Sequence, residues 1–225
     1  MSPSRFGLFV LAVLCAAPQA AAQRSISQVR EYERTRAYRE CSEESIRRLA
    51  LSRGSSVADI GAGYGFYSEQ LSSIVGPSGR VFAVEVDSGA LRMLRDRVRA
   101  AALKNVEVIE GHPDDPLLEP DSLDGIIVVR AYHDMREPEA MLAKMRAALR
   151  PGGRLVMLDH RNGSSAAGDS RARQVSHHEL AIDLVARELA AAGFEVVEKL
   201  NSVCEGQPDA SSRGERLWLM VARKP

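Results

Sequence analysis

The stretch Val57-Ala-Asp-Ile-Gly-Ala-Gly-Tyr-Gly-Phe-Tyr67 decides the fold. Its first four residues are a short apolar strand carrying one acid, Asp59. Glycines follow at 61, 63 and 65, and a helical pattern then runs from Tyr67 to Val75. A strand that enters a glycine turn and leaves as a helix opens a parallel α/β unit. There the glycines permit backbone angles closed to other residues and let a ligand approach the main chain. A dinucleotide-binding fingerprint puts its third glycine three positions after the second. That position holds Phe66, too bulky for close helix–strand contact, and the third glycine stands at 65 instead. Asp59 at the strand end suits an ammonium group and repels a pyrophosphate. Glu85 ends the next strand, Val81-Phe-Ala-Val84, where a carboxylate can accept from both ribose hydroxyls. The spacing describes a nucleoside with a cationic amino-acid arm and no phosphate, which is S-adenosylmethionine.

Working outward, the alternation persists. Ala90 to Leu103 reads as a helix with an apolar stripe, and Val106 to Ile109 as a third strand. Gly111 to Asp121 is rich in Pro and Asp and reads as loop. Gly125 to Val129 is an aliphatic fourth strand, fit for the middle of a parallel sheet. Glu139 to Leu149 reads as a helix stopped by Pro151-Gly-Gly153, followed by strand five (Arg154 to Leu158) and a polar loop from Arg161 to Gly168. His178 to Ala192 reads as a helix closed by Gly193. Phe194 to Leu200 and Arg216 to Ala222 are strands with no helix between them, so they pair antiparallel. The expectation is an α/β, three-layer, doubly wound and mostly parallel seven-stranded sheet, with an antiparallel C-terminal hairpin at its edge. No repeat or linker interrupts it, so residues 23–225 read as one domain with a helical extension over 23–53.

Before that extension, Arg5 precedes an apolar stretch from Phe6 to Ala17 and the small-residue run Ala20-Ala-Ala22. This is the order of a secretory signal peptide over residues 1–22, too short in its apolar part to span a bilayer, and it implies export to the periplasm. No other segment reads as membrane-spanning. Thirty basic residues balance thirty acidic ones, so no global field attracts nucleic acid. Cys41 and Cys204 would remain after cleavage; unpaired thiols are the simpler reading, although an oxidising compartment would allow a disulfide.

At these positions the chain resembles class I S-adenosylmethionine-dependent methyltransferases: acidic-x-Gly-x-Gly-x-Gly, an acidic residue ending strand two, and Leu149-Arg-Pro-Gly-Gly153 before strand five. It is also similar to small bacterial methyltransferase-like proteins with signal peptides, which share Val57-Ala-Asp-Ile-Gly-Ala-Gly63, the Pro113-Asp-Asp-Pro116 loop and Tyr132-His133. The resemblance implies that Asp59 binds the methionine amino group, partly through water, and that Gly61, Ala62, Gly63 and Gly65 line the methionine and ribose. It implies that Glu85 holds the ribose hydroxyls with Val86 against the adenine. Asp114 or Asp115 would accept from the adenine amino group, and Arg130 would lie near the methionine end.

Methyl transfer from a sulfonium is an in-line displacement, so the protein mainly positions the nucleophile and excludes water. His133 is the candidate proton acceptor and Tyr132 the candidate wall of the methyl channel. Asp134 and His160 are weaker candidates at the same end of the sheet. The pair His177-His178 reads as a helix start, and no third ligand with metal-site spacing stands out, so no metal is expected. The acceptor reads as a small molecule. The motif of many nucleic-acid amino-group methylators is absent, with Arg130-Ala-Tyr-His133 in its place, and no cysteine lies in a nucleophile loop. The alternative is an exported module that binds the nucleoside without turnover. A nicotinamide oxidoreductase is disfavoured by Phe66 and by the lack of a Tyr-x-x-x-Lys pair.

Overall fold

The computed structural model describes residues 38–160, 169–203 and 217–225, with Gln28 and Glu33; for 38–41 only the backbone is described. The expected signal peptide and Cys204 lie outside these residues. Helix α1 (Tyr38–Arg48) precedes β1 (Ser56–Ile60), α2 (Phe66–Val75), β2 (Arg80–Glu85), α3 (Ser88–Ala100) and β3 (Val106–Glu110). Then come β4 (Leu123–Val129), a 3-10 turn (Tyr132–Asp134), α4 (Pro138–Ala148) and β5 (Leu149–His160). The chain closes with α5 (Arg171–Val175), α6 (Ile182–Ala191), β6 (Glu195–Val203) and β7 (Leu217–Arg223).

The seven strands form one sheet in the order β3-β2-β1-β4-β5-β7-β6. The pairs β1–β2, β1–β4, β2–β3 and β4–β5 are parallel, and β7 runs antiparallel to both β5 and β6. The doubly wound sheet is therefore as the alternation implies, and the strand order reverses between β1 and β4. Ligands bind at such a reversal, beyond the carboxyl ends of the strands. One apolar layer joins β4 and β5 to α4 and α6 through Leu123, Met145, Leu155 and Leu189; another joins the opposite face to α1 and α2 through Ile46, Leu71 and Ile127.

The antiparallel hairpin stands at the edge of the sheet as expected, and two details go beyond or against the reading of the sequence. Within the hairpin, whose order the sequence left open, β7 lies between β5 and β6, and β6 is the edge strand. Composition accounts for this order. In β7, Trp218-Leu-Met-Val-Ala222 is buried throughout, so it needs cover on both faces and a neighbour on each side. Glu195 to Ser202 in β6 alternates between exposed and half-buried, which an edge tolerates. The second difference is the helix expected from His178. The structure has a short α5 and a separate α6, with 176–181 between them. Side-chain bonds hold that connection open. Ala181 N–H donates to Gln174 Oε1 at 2.7 Å, and Trp218 Nε1–H donates to the Leu180 carbonyl at 2.8 Å. Leu180 is fully buried, which a helix continuing from His178 would not arrange.

Candidate cofactor and acceptor site

Five parallel strands, β1 to β5, deliver their carboxyl ends to one side of the sheet, and the candidate residues meet there. The turn after β1 is shaped by contact and by a ligand-facing opening. Gly61 (φ 72) packs so closely against the turn after β4 that a Cβ on it would lie 2.4 Å from Ala131 Cβ. At Gly63 (φ 55) a Cβ would meet nothing within 4 Å. The first glycine therefore serves packing, and the second opens main chain to the crevice. Ala62 is buried, its N–H bonded to the Val84 carbonyl at 3.0 Å, and Gly65 starts α2 against Leu94.

Asp59 is buried and accepts from Ser68 Oγ at 2.6 Å. Burial pushes its carboxyl up to about 6, against the opposing pull of the Ser68 bond and with a smaller push from the Glu85 charge. A buried carboxylate held in this state gains most from a cation beside it. Glu85 is bound more firmly than the sequence suggests. Its Oε2 accepts from Gly63 N–H at 2.7 Å, and its Oε1 accepts from Val86 and Asp87 N–H at 2.8 and 3.0 Å. The carboxylate thus fixes the glycine turn to the end of β2 while its remaining lone pairs stay able to accept. Val86 is 54% exposed, an apolar side chain left at the rim.

The Pro113-Asp-Asp-Pro116 loop separates its two acids. Asp115 accepts from Leu117 N–H at 2.9 Å and pairs with Lys144 at 2.7 Å, and the Lys144 bond holds its carboxyl below the usual range. Asp114 is exposed. A cofactor contact from this loop thus falls more naturally to Asp114. Arg130 (φ 52) turns the chain out of β4, and its Nε–H donates to His160 Nε2 at 2.9 Å.

Past Arg130 the two neighbours Tyr132 and His133 part ways. Tyr132 is 1% exposed; its hydroxyl donates to Glu188 at 2.7 Å and Arg171 lies over its ring at 5.3 Å. Burial and the Glu188 charge push the phenol well above its ordinary range. Its surroundings are those of a packed anchor for α5 and α6. His133, also buried, shares a hydrogen bond with Asp159 through Nδ1 at 2.8 Å. Asp159 also accepts from the backbone N–H of His133 at 3.2 Å and of His160 at 2.8 Å. Burial alone would lower the imidazole pKa, but the Asp159 bond and the charges of Asp159 and Asp134 outweigh it and raise the group above its ordinary value. A carboxylate that fixes one ring nitrogen leaves the other, Nε2, as the working atom. Asp159 was not singled out in the sequence. The available signal was the one that marked Asp59: an acid ending an aliphatic strand, here Leu155-Val-Met-Leu-Asp159.

Residues 57–153 match the family model described as a methyltransferase domain. A protein-L-isoaspartate O-methyltransferase of Methanothrix thermoacetophila is 33% identical over 109 residues, 48% of this chain and 49% of that protein. A demethylmenaquinone methyltransferase of Listeria welshimeri is 26% identical over 116 residues, 52% of this chain and 49% of that protein. The chain spans about half the length of these curated relatives. The crystal structure of an S-adenosylmethionine-dependent methyltransferase from Aquifex aeolicus superposes with a TM-score of 0.72 at 22% identity, covering 90% of this chain and all of that one. Over residues 57–153 the chain is thus similar to methyltransferase domains, and over most of its length it shares their fold. The matched stretch runs from β1 into β5 and includes Asp59, the glycines, Glu85 and His133. It stops short of Asp159, Arg171, His178 and Glu188, the residues that surround His133 and Tyr132.

The residues present fit the cofactor. Asp59 is a buried carboxylate in want of a cation, Gly63 presents open main chain, and Glu85 keeps accepting capacity at the β2 end. Among the described residues no helix is long and apolar enough to cross a membrane.

Proposed function

We propose that this chain transfers a methyl group from S-adenosylmethionine to a small-molecule acceptor whose nucleophilic atom is presented at His133. The observation that supports this most is the joint arrangement of Asp59, Gly63 and Glu85 on one edge with the His133–Asp159 pair beside it. When bound, the cofactor supplies an electrophilic methyl on a sulfonium. Asp59 holds the methionine ammonium, and Glu85 orients both the glycine turn and the ribose. Val86 and Asp114 flank the adenine, and Arg130 stands at the methionine end. His133 Nε2 accepts the proton that an acceptor hydroxyl or amine gives up, and Asp159 stabilises the imidazolium that results. We further propose that residues 1–22 direct export; cell fractionation of the tagged chain checks this, and retention of an unshortened chain in the cytosol would count against it.

The deciding experiment is a calorimetric titration of the protein with S-adenosylmethionine and, separately, with NADH. Saturable binding of the first alone, weakened in Asp59→Asn, supports the reading. Release of S-adenosylhomocysteine in the presence of a panel of hydroxyl and amine acceptors then tests turnover. Binding without release under any acceptor would favour a module that holds the nucleoside and does not transfer. Absence of binding by folded protein would remove the cofactor assignment.

A further inference from the structure

The turn at 176–181, held out of helix by Gln174 and Trp218, carries His178 to the mouth of the His133 site. There the structure brings together three side chains able to ligate a metal, two of them adjacent in sequence and the third on this distant turn. One ligand atom from each of His133, Asp134 and His178 lies within 4.8 Å of the other two. His133 Nε2 is 3.3 Å from Asp134 Oδ2, and His178 Nδ1 is 3.7 Å from Asp134 Oδ1. The His133 and His178 rings meet edge to face at 5.6 Å. We propose that His133, Asp134 and His178 bind one divalent first-row transition-metal ion, of the Zn2+ class, at the acceptor end of the cleft.

Three features carry this beyond proximity. First, Asp159 stands 2.8 Å from His133 Nδ1, so the neutral imidazole carries its proton on Nδ1 and leaves Nε2, 3.3 Å from Asp134, as the ligating atom. A buried carboxylate behind a ligating imidazole is the usual support of a metal-bound histidine, setting its tautomer and raising its basicity. Second, the separations suit the ion. In a tetrahedral site with bonds of about 2.0–2.1 Å, ligand atoms stand roughly 3.3–3.4 Å apart. Asp134 approaches that value through a different oxygen to each histidine, and with one atom per residue the set lies within 4.8 Å; Asp134 and His178 are exposed, so rotation of these two side chains can close it around an ion. Third, the donors discriminate. Two imidazoles and one carboxylate favour Zn2+, Co2+ or Ni2+ over Mg2+ and Ca2+, which prefer oxygen alone. Three protein ligands with the rest of the sphere facing the cleft leave a position for water or an acceptor oxygen. Cation and proton compete for the same Nε2, so occupancy would replace proton acceptance at His133 with direct polarisation of the bound oxygen.

Cation binding is independent of methyl transfer and is read directly. The metal-free full chain, without an affinity tag, is titrated with Zn2+ and with Mg2+ by calorimetry and equilibrium dialysis. Circular dichroism checks that each variant is folded. The expected result is one Zn2+ per chain and no Mg2+ at comparable concentration. His178→Gly, which suits φ 54 and removes one ligand, weakens Zn2+ binding at least tenfold. Asp159→Asn weakens it by about 10–100-fold through His133, and His177→Ala leaves it unchanged. Zn2+ binding that survives intact in His178→Gly, or no stoichiometric binding by folded wild-type protein, overturns the proposal. S-adenosylmethionine titration of the same samples reports separately on Asp59 and the glycine turn, which contribute no ligand to the cation.

Discussion

Asp59 shows how one buried carboxylate ties stability to binding. Burial pushes its carboxyl up to about 6, above the ordinary carboxylate range, so the native state holds its proton more tightly than the unfolded chain does. The associated destabilisation is absent below about pH 4, grows as the pH rises to 6 and is complete above it, at about 3 kcal/mol. Asp59→Asn keeps an acceptor for Ser68 and removes the buried charge. It should therefore unfold at higher urea concentration than wild type at pH 8, with the difference vanishing near pH 4. The same variant should bind S-adenosylmethionine more weakly, and wild-type affinity should fall as the pH drops through about 6, where Asp59 loses its charge. Calorimetry across pH 5 to 8 checks both signs. At His133 the expected loss is kinetic: His133→Gln lowers kcat by about 10²-fold or more once an acceptor is found, with cofactor affinity retained. Tyr132→Phe, by contrast, strips the hydroxyl from Glu188 and should lower stability with kcat little changed, because that ring is packed away between α5 and α6.

The elements themselves are set by contacts the sequence shows only in part. Gly61 is legible as a turn residue, yet its partner is not: Ala131 comes from the turn after β4, seventy residues on. Gly61→Ala meets both that methyl and a positive φ. It should cost about 2–4 kcal/mol in urea unfolding. Adding Ala131→Gly should restore the part due to the clash and leave the roughly 1–2 kcal/mol due to the backbone. Trp218 offers a second test. Its indole N–H caps the Leu180 carbonyl, so Trp218→Phe leaves a buried carbonyl unpaired and should cost about 1–3 kcal/mol. The turn carrying His178 should loosen with it, visible as faster amide exchange over 176–181. That turn reads as helix in the sequence because its periodicity is helical, whereas the bonds that break it come from Gln174 and from β7.

For the whole molecule, cofactor and fold are linked by mass action. S-adenosylmethionine at a hundred times its Kd should raise unfolding free energy by about 2.7 kcal/mol, and Asp59→Asn should lose most of that gain at the same concentration. The sequence by itself determined the parallel α/β plan, since a buried parallel strand is an aliphatic run and crossovers between parallel strands are usually helical, the β3–β4 loop being the exception here. It also made the proposed cofactor edge legible, because the strand, the glycine turn and the acid at the next strand's end are local in the chain. Only tertiary structure assembles the proposed acceptor edge. His133, Asp159 and His178 lie on the turn after β4, the end of β5 and the turn before α6, and only sheet pairing makes them neighbours. It also decided that β7 lies inside β6, because a strand apolar on both faces gains more burial between two partners than at an edge, a comparison no single segment of sequence contains.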